Sequence, residues 1–202
     1  MMRAVGIVAA IGMLGAPAFA LDDCVEIEND LDRLACYDRA AGRTPVTEVD
    51  QDAGGDWMVR TETSEFTDTT NVYLTVESEE PLRCNMFGTP QHANLILRCL
   101  EDTTSLFIAT DCHLTSGHGG YGQVEYRIDD RPAVSKGFDA STSNNSLGLW
   151  NGGRSIPLVK ELLGAERLLV RFTPFNESPA TARFDITGLE QAIAPLREAC
   201  HW

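Results

Sequence analysis

Basic residues are scarce in this chain: sixteen Lys and Arg stand against thirty Asp and Glu, a net charge of −14 at pH 7. Nucleic acid and anionic membrane are held by clustered positive charge, so this balance argues against both as partners. The excess of carboxylates instead keeps an exported protein soluble, with a cationic partner as the sharper reading. Long apolar runs are missing too, since the stretch Ala4–Leu14 falls well short of the ~20 residues needed to cross a bilayer. There is no Cys-x-x-Cys, no helical His-x-x-x-His, no Gly-x-Ser-x-Gly elbow and no Ser-x-x-Lys. Neither a zinc site nor the usual nucleophile arrangements are therefore expected. The histidines are His92, His113, His118 and His201, all in expected loops or at the terminus. No catalytic residue, metal or cofactor is assigned.

What is present begins with an export signal. Arg3, the apolar run Ala4–Leu14 and the small-residue Ala18-Phe19-Ala20 make its three parts, with cleavage expected after Ala20. Leu21-Asp22-Asp23 precede Cys24, and their charges do not suit lipid attachment, so no membrane anchor is expected after cleavage. Six cysteines follow the signal, and an even number in an exported chain points to disulfides.

Residues 21–42 read as a short helical segment stapled by Cys24 and Cys36, too small to fold without that bridge. Asn29 caps the helix, Leu31, Leu34 and Ala35 repeat at helical spacing, and Gly42 stops it. Residues 43–56 are rich in Thr, Glu, Asp and Gly and read as a flexible linker. Residues 57–202 make the main domain. Trp57–Thr63 is expected as an edge strand and Thr70–Glu77 as a half-buried one. Ala93–Asp111 is a β-hairpin with Leu95, Leu97 and Cys99 facing one way and Leu106 and Ile108 returning on the same side. Its Glu101-Asp102-Thr103-Thr104 contains no Asn-Gly or Asp-Gly pair, which predicts a turn longer than two residues.

Gly117, Gly119, Gly120 and Gly122 form a glycine-rich loop, but a strand follows it, so phosphate cradling at a helix start is rejected. Val124, Tyr126 and Ile128 define the next strand. Lys136–Trp150 reads as a long polar loop suited to binding, where Trp150 offers a stacking face for a sugar. Ser141, Asn144, Asn145, Trp150 and Asn151 are the candidate ligand contacts. A helix capped by Ser155 runs to Leu163, with Ile156, Val159, Leu162 and Leu163 as its stripe and Gly164 as its stop. Strands follow around Leu168–Phe172 and Ala182–Ile186. Thr187-Gly188-Leu189-Glu190 predicts a capping box opening the last helix, whose stripe is Leu189, Ile193, Leu196 and Cys200. Pro195 predicts a kink or break in that helix near Gln191.

The expected fold is mainly β, a sandwich-like set of about seven to eight antiparallel strands with an inserted helix and a C-terminal helix packed on the sheet. Cys99 on the inward face of its strand and Cys200 on the inward stripe of the last helix suggest a bridge between them, leaving Cys84 for Cys112. Cys84–Cys99 with Cys112–Cys200 is the competing arrangement.

Several separated patches resemble one family. They are Arg33-Leu34-Ala35-Cys36-Tyr37-Asp38, Thr67-Asp68-Thr69-Thr70-Asn71-Val72-Tyr73-Leu74, Leu95-Ile96-Leu97-Arg98-Cys99, and Gly188-Leu189 with the closing Pro195-Leu196-Arg197-Glu198-Ala199-Cys200-His201-Trp202. Together they are similar to the VasI/TagO family of exported proteins associated with type VI secretion. The resemblance implies that Cys24, Cys36, Cys99 and Cys200 are the family's usual set, which favours the first pairing, and that Cys84 and Cys112 add a further bridge. It also implies a periplasmic accessory protein rather than an enzyme, with protein partners in the cell envelope that include secretion components. A glycan- or peptidoglycan-binding module using Trp150 is the alternative, and an exported hydrolase is a third.

Overall fold

The computed structural model describes residues 24–25, 27, 33–34, 36–37, 48–50, 55–84 and 88–202. The expected signal and its cleavage point lie outside the described residues, as do most of the expected helix between Cys24 and Cys36 and most of the expected linker. The chain divides into two units, Met1–Pro45 and Val46–Trp202. In the first, Cys24 and Cys36 are joined by a disulfide with their Cα atoms 5.5 Å apart.

The second unit holds eleven strands among its described residues. They are β1 (Glu48–Asp50), β2 (Met58–Thr63), β3 (Thr70–Glu77), β4 (Asn94–Leu100), β5 (Thr103–Ala109), β6 (Gln123–Ile128), β7 (Val134–Gly137), β8 (Asp139–Ala140), β9 (Ser146–Leu149), β10 (Arg167–Phe172) and β11 (Ala180–Asp185). Three helices accompany them: α1 (Gly152–Leu162), α2 (Leu189–Ala192) and α3 (Ala194–Ala199). Two sheets result, a seven-stranded one in the order β1-β2-β3-β4-β5-β9-β8 and a four-stranded one in the order β11-β10-β6-β7.

Alternation places the core. Leu95, Leu97 and Cys99 on β4 are fully buried, and so are Leu74, Leu106, Ile108, Leu147 and Leu149 on the neighbouring strands. From the smaller sheet Val124, Ile128, Val170, Phe172 and Phe184 join the same cluster, with Leu158, Val159, Leu162 and Leu196 from the helices. Burying each such side chain contributes about 1.5–3 kcal/mol. Both longer helices thus rest on the inward side of the large sheet.

Several expectations are corrected. β1, three residues of the expected linker, pairs with β2, so Trp57–Thr63 is not the edge of the sheet. The expected loop Lys136–Trp150 contains the end of β7, all of β8 and all of β9, and only residues 141–145 turn. Strands of two to four residues give too few alternations to be read against Ser and Asn. These additions, with β7, raise the strand number above the expected range.

The β4–β5 turn is a two-residue one, since Leu100 pairs directly with Thr103. Glu101 and Asp102 both take positive φ, 46° and 60°, the arrangement a primed turn requires. Tertiary hydrogen bonds hold it there: the Glu101 N–H donates to Asn71 Oδ1 at 2.9 Å, and Ser64 Oγ donates to Glu101 Oε1 at 3.0 Å.

Helix α1 is capped by Asn151 rather than Ser155, the Arg154 N–H donating to Asn151 Oδ1 at 3.1 Å. Ser155 is buried inside the first turn, its hydroxyl 2.9 Å from the Thr104 carbonyl. Gly164 follows the helix with φ 74°, as expected of a terminating glycine. The capping box is absent. Gly188 occupies the N-cap at φ 85° without a side-chain bond, and the Thr187 N–H donates to Asp185 Oδ1 at 2.9 Å. The final helix is broken at Ile193, with Pro195 in the first turn of α3, where its missing N–H has no helical partner to lose.

Candidate functional site: the outward face of the large sheet

The structure joins Cys99 to Cys200 and Cys84 to Cys112, with Cα atoms 5.8 Å and 4.8 Å apart. Among the described residues no group of three or more His, Cys, Asp or Glu side chains is placed to hold a metal. The histidines are dispersed. His92 Nδ1 lies 2.6 Å from the Ser78 carbonyl, His113 and His118 pack edge-on to Phe175 and Tyr121, and His201 sits 3.7 Å from Asp102.

The side of the seven-stranded sheet turned away from the core carries a different chemistry. Cross-strand pairing lines up Arg60, Tyr73, Arg98 and Ser105 in one row. The next row runs Met58, Thr75, Ile96, Phe107 and Gly148. Arg60 lies over the Tyr73 ring at 4.4 Å and pairs with Glu62 at 3.3 Å, while the Tyr73 hydroxyl donates to Glu62 at 2.8 Å. Burial, and then the Glu62 carboxylate, push the Tyr73 phenol above its ordinary pKa. Arg98 stands 5.3 Å from the Phe107 ring centroid, its Nε donating to Ser105 Oγ at 3.2 Å.

Trp150 closes one end of this face. Its ring lies 5.0 Å from Phe107 at 32°, and its indole N–H donates to the Asp139 carbonyl at 2.9 Å. Arg154 pairs with the Asp139 carboxylate and fixes that support. Gly148 is required beneath the rings, since a Cβ there would come within 2.7 Å of both Phe107 and Trp150. A pocket of about 410 Å³ opens against Arg98, Phe107 and Trp150 on one side and Ala140, Ser141, Thr142 and Ser146 on the other. That size suits a small ligand or a few side chains of a partner.

Of the candidate ligand contacts, Ser141 and Trp150 line this pocket. Asn145 does not: its Oδ1 accepts from the hydroxyls of Ser141, Ser143 and Ser146. Asn144 takes φ 56° and donates to the Leu114 carbonyl at 3.0 Å, and Asn151 caps α1. Arg98 and Phe107 were not among the candidates. The signal for them was present, because both occupy the outward phase of a hairpin whose inward phase is Leu and Ile.

A larger pocket of about 500 Å³ lies between β2, β3 and α3, and its ionisable groups are Asp102, Glu198 and His201. It has no aromatic wall and no Arg or Lys.

A family model described as "Type VI secretion system VasI, EvfG" matches residues 23–202. The chain belongs to the VasI family. VasI membership carries an association with type VI secretion. Among solved structures, the chain is similar to invasion associated protein b from Bartonella henselae at 11% identity and a TM-score of 0.44, over 72% of this chain and 94% of that one. No curated protein matches.

Proposed function

We propose that this VasI protein is an exported, periplasmic accessory of type VI secretion that works without catalysis, by binding another protein of the cell envelope through the outward face of its large sheet. The observation that carries the reading is the composition of that face. Arg, Tyr, Trp, Phe and Met are the residues enriched at protein interfaces and their hot spots, and Arg60, Tyr73, Arg98, Phe107, Trp150 and Met58 stand together there while the inward face is filled by core. Three disulfides support export to an oxidising compartment. Among the described residues no helix is long and apolar enough to cross a membrane.

The test is crosslinking in living cells followed by purification from envelope fractions. A secretion component should be recovered with the wild-type protein and lost with the Arg98→Glu, Phe107→Ala double variant. Recovery of no apparatus component, or equal recovery with the variant, removes the reading.

A further inference from the structure

We infer that the Arg98–Phe107–Trp150 pocket receives a short acidic segment of a partner protein, one that sets an apolar or aromatic side chain beside a carboxylate; this rests on the accessory reading above. Arg98 provides the cation. Most other arginines on the strands and on α1 already have carboxylates: Arg60 has Glu62, Arg127 has Asp130, Arg154 has Asp139, Arg171 has Glu125, and Arg183 has Glu79 and Glu80, while Arg167 on β10 lies in a different sheet from this pocket. Arg98 has no carboxylate within salt-bridge distance among the described residues. Its hydrogen bond from Nε to Ser105 leaves both terminal nitrogens of the guanidinium open. Two parallel N–H donors match the two oxygens of a carboxylate.

The lining of the pocket contains that one cation and no acid, in a chain where acids outnumber bases by thirty to sixteen. Phe107 and Trp150 add apolar walls beside it. The neutral polar groups that a sugar would need are already engaged: Asn145 and Ser141 hydrogen-bond within their own turn, and the Trp150 N–H is held by Asp139. What remains to line the space is a guanidinium fork, the Phe107 and Trp150 rings and the Thr142 hydroxyl. That set fits a carboxylate next to an apolar body better than it fits a neutral glycan.

The exported chain with its disulfides intact is titrated into a fluorescein-labelled dodecapeptide carrying Phe and Leu among Asp and Glu. A counterpart with Asn and Gln in place of the acids is the control. The acidic peptide should bind with an affinity that falls as salt is added, and the control should bind at least about tenfold more weakly. Arg98→Gln and Phe107→Ala should each cost about tenfold, with Arg98→Lys between wild type and Gln because it keeps the charge and loses the fork. Near-UV circular dichroism identifies variants that keep the native fold. Equal binding of the two peptides, binding of neither, or indifference to Arg98→Gln in a folded protein overturns the inference. So does retention on purified peptidoglycan that Trp150→Ala abolishes and the acidic peptide does not displace. If the peptides fail while a secretion component still crosslinks to the wild-type protein in cells, the peptide chemistry falls and the accessory reading stands. Loss of that crosslink with peptide binding intact has the reverse meaning.

Discussion

Tyr73 sits between two cations and one carboxylate, and burial together with the carboxylate outweighs the cations. Arg60 and Arg98 pull its phenol pKa down, but burial and the Glu62 carboxylate that accepts its proton raise it further. A folded-state pKa above the unfolded value of ~10 means that the native fold prefers the protonated phenol. The stability it contributes is complete below the unfolded value and is lost as the pH rises through the folded one. Absorbance at 295 nm, taken as the difference between the wild-type protein and Tyr73→Phe, isolates this phenol from Tyr126, which is also raised. In the Glu62→Gln background the midpoint should fall toward the ordinary value yet stay above it, because burial is the larger cause and persists. An unchanged midpoint would show that Glu62 does not govern the group. At this scale the outward chemistry was only partly legible. The alternation that assigns Leu95 and Leu97 to the core equally assigns Arg98 and Phe107 to the opposite face, but the cross-strand neighbours that give those two a meaning, Tyr73 and Gly148, come from elsewhere in the chain.

The long strands and the Gly164 stop could be read from sequence, and the β4–β5 turn and the helix N-caps could not, for one reason. β3, β4 and β10 each carry several alternations, so their phase is fixed locally. The β4–β5 turn is fixed by Asn71 and Ser64, which are some thirty residues and more away. Those bonds hold Glu101 and Asp102 in a left-handed conformation that costs a non-glycine residue roughly 1–2 kcal/mol. Capping followed the same pattern: Ser155 was drawn off by the buried Thr104 carbonyl, and the cap fell to Asn151. The strain in the turn leads to a prediction. Asp102→Gly relieves one left-handed residue and gives up the contact to His201, a side chain that is 78% exposed and so contributes little. The variant should therefore be more stable by about 1 kcal/mol, raising Tm by roughly 2–4 °C for a domain of this size. Asn71→Ala, which removes the acceptor for the Glu101 N–H, should move Tm the other way. A fall in Tm for Asp102→Gly in a calorimetric scan would mean that the turn is not strained at that residue.

At the scale of the whole molecule, the proposed function sets recognition and stability on opposite faces of the same sheet. The bridge that closes the longest loop, Cys99–Cys200, spans 101 residues, whereas Cys84–Cys112 spans 28. By chain entropy the first contributes ~4.7 kcal/mol and the second ~3.6 kcal/mol. Each bridge has one buried and one partly buried cysteine, Cys99 with Cys200 and Cys112 with Cys84, so the space left by alanine is similar in the two and loop length decides the order. The paired substitution Cys99→Ala, Cys200→Ala should therefore lower the denaturant midpoint more than Cys84→Ala, Cys112→Ala does. Strand alternation turns Cys99 inward and helical spacing turns Cys200 toward it, which suggests this pairing but leaves Cys84–Cys99 with Cys112–Cys200 open; the family resemblance is what favours the first and implies Cys84–Cys112 as a further bridge. The pocket at Arg98 draws no lining residue from α2 or α3, and Cys99 points away from it. Below its lowered midpoint, the Cys99→Ala, Cys200→Ala protein should bind the acidic peptide with wild-type affinity. Equal midpoints for the two paired variants would contradict the loop-length ordering. A loss of peptide binding in the folded Cys99→Ala, Cys200→Ala protein would show instead that the two faces of β4 are coupled, and that the staple at the C-terminal helix sets the geometry of the guanidinium on the other side.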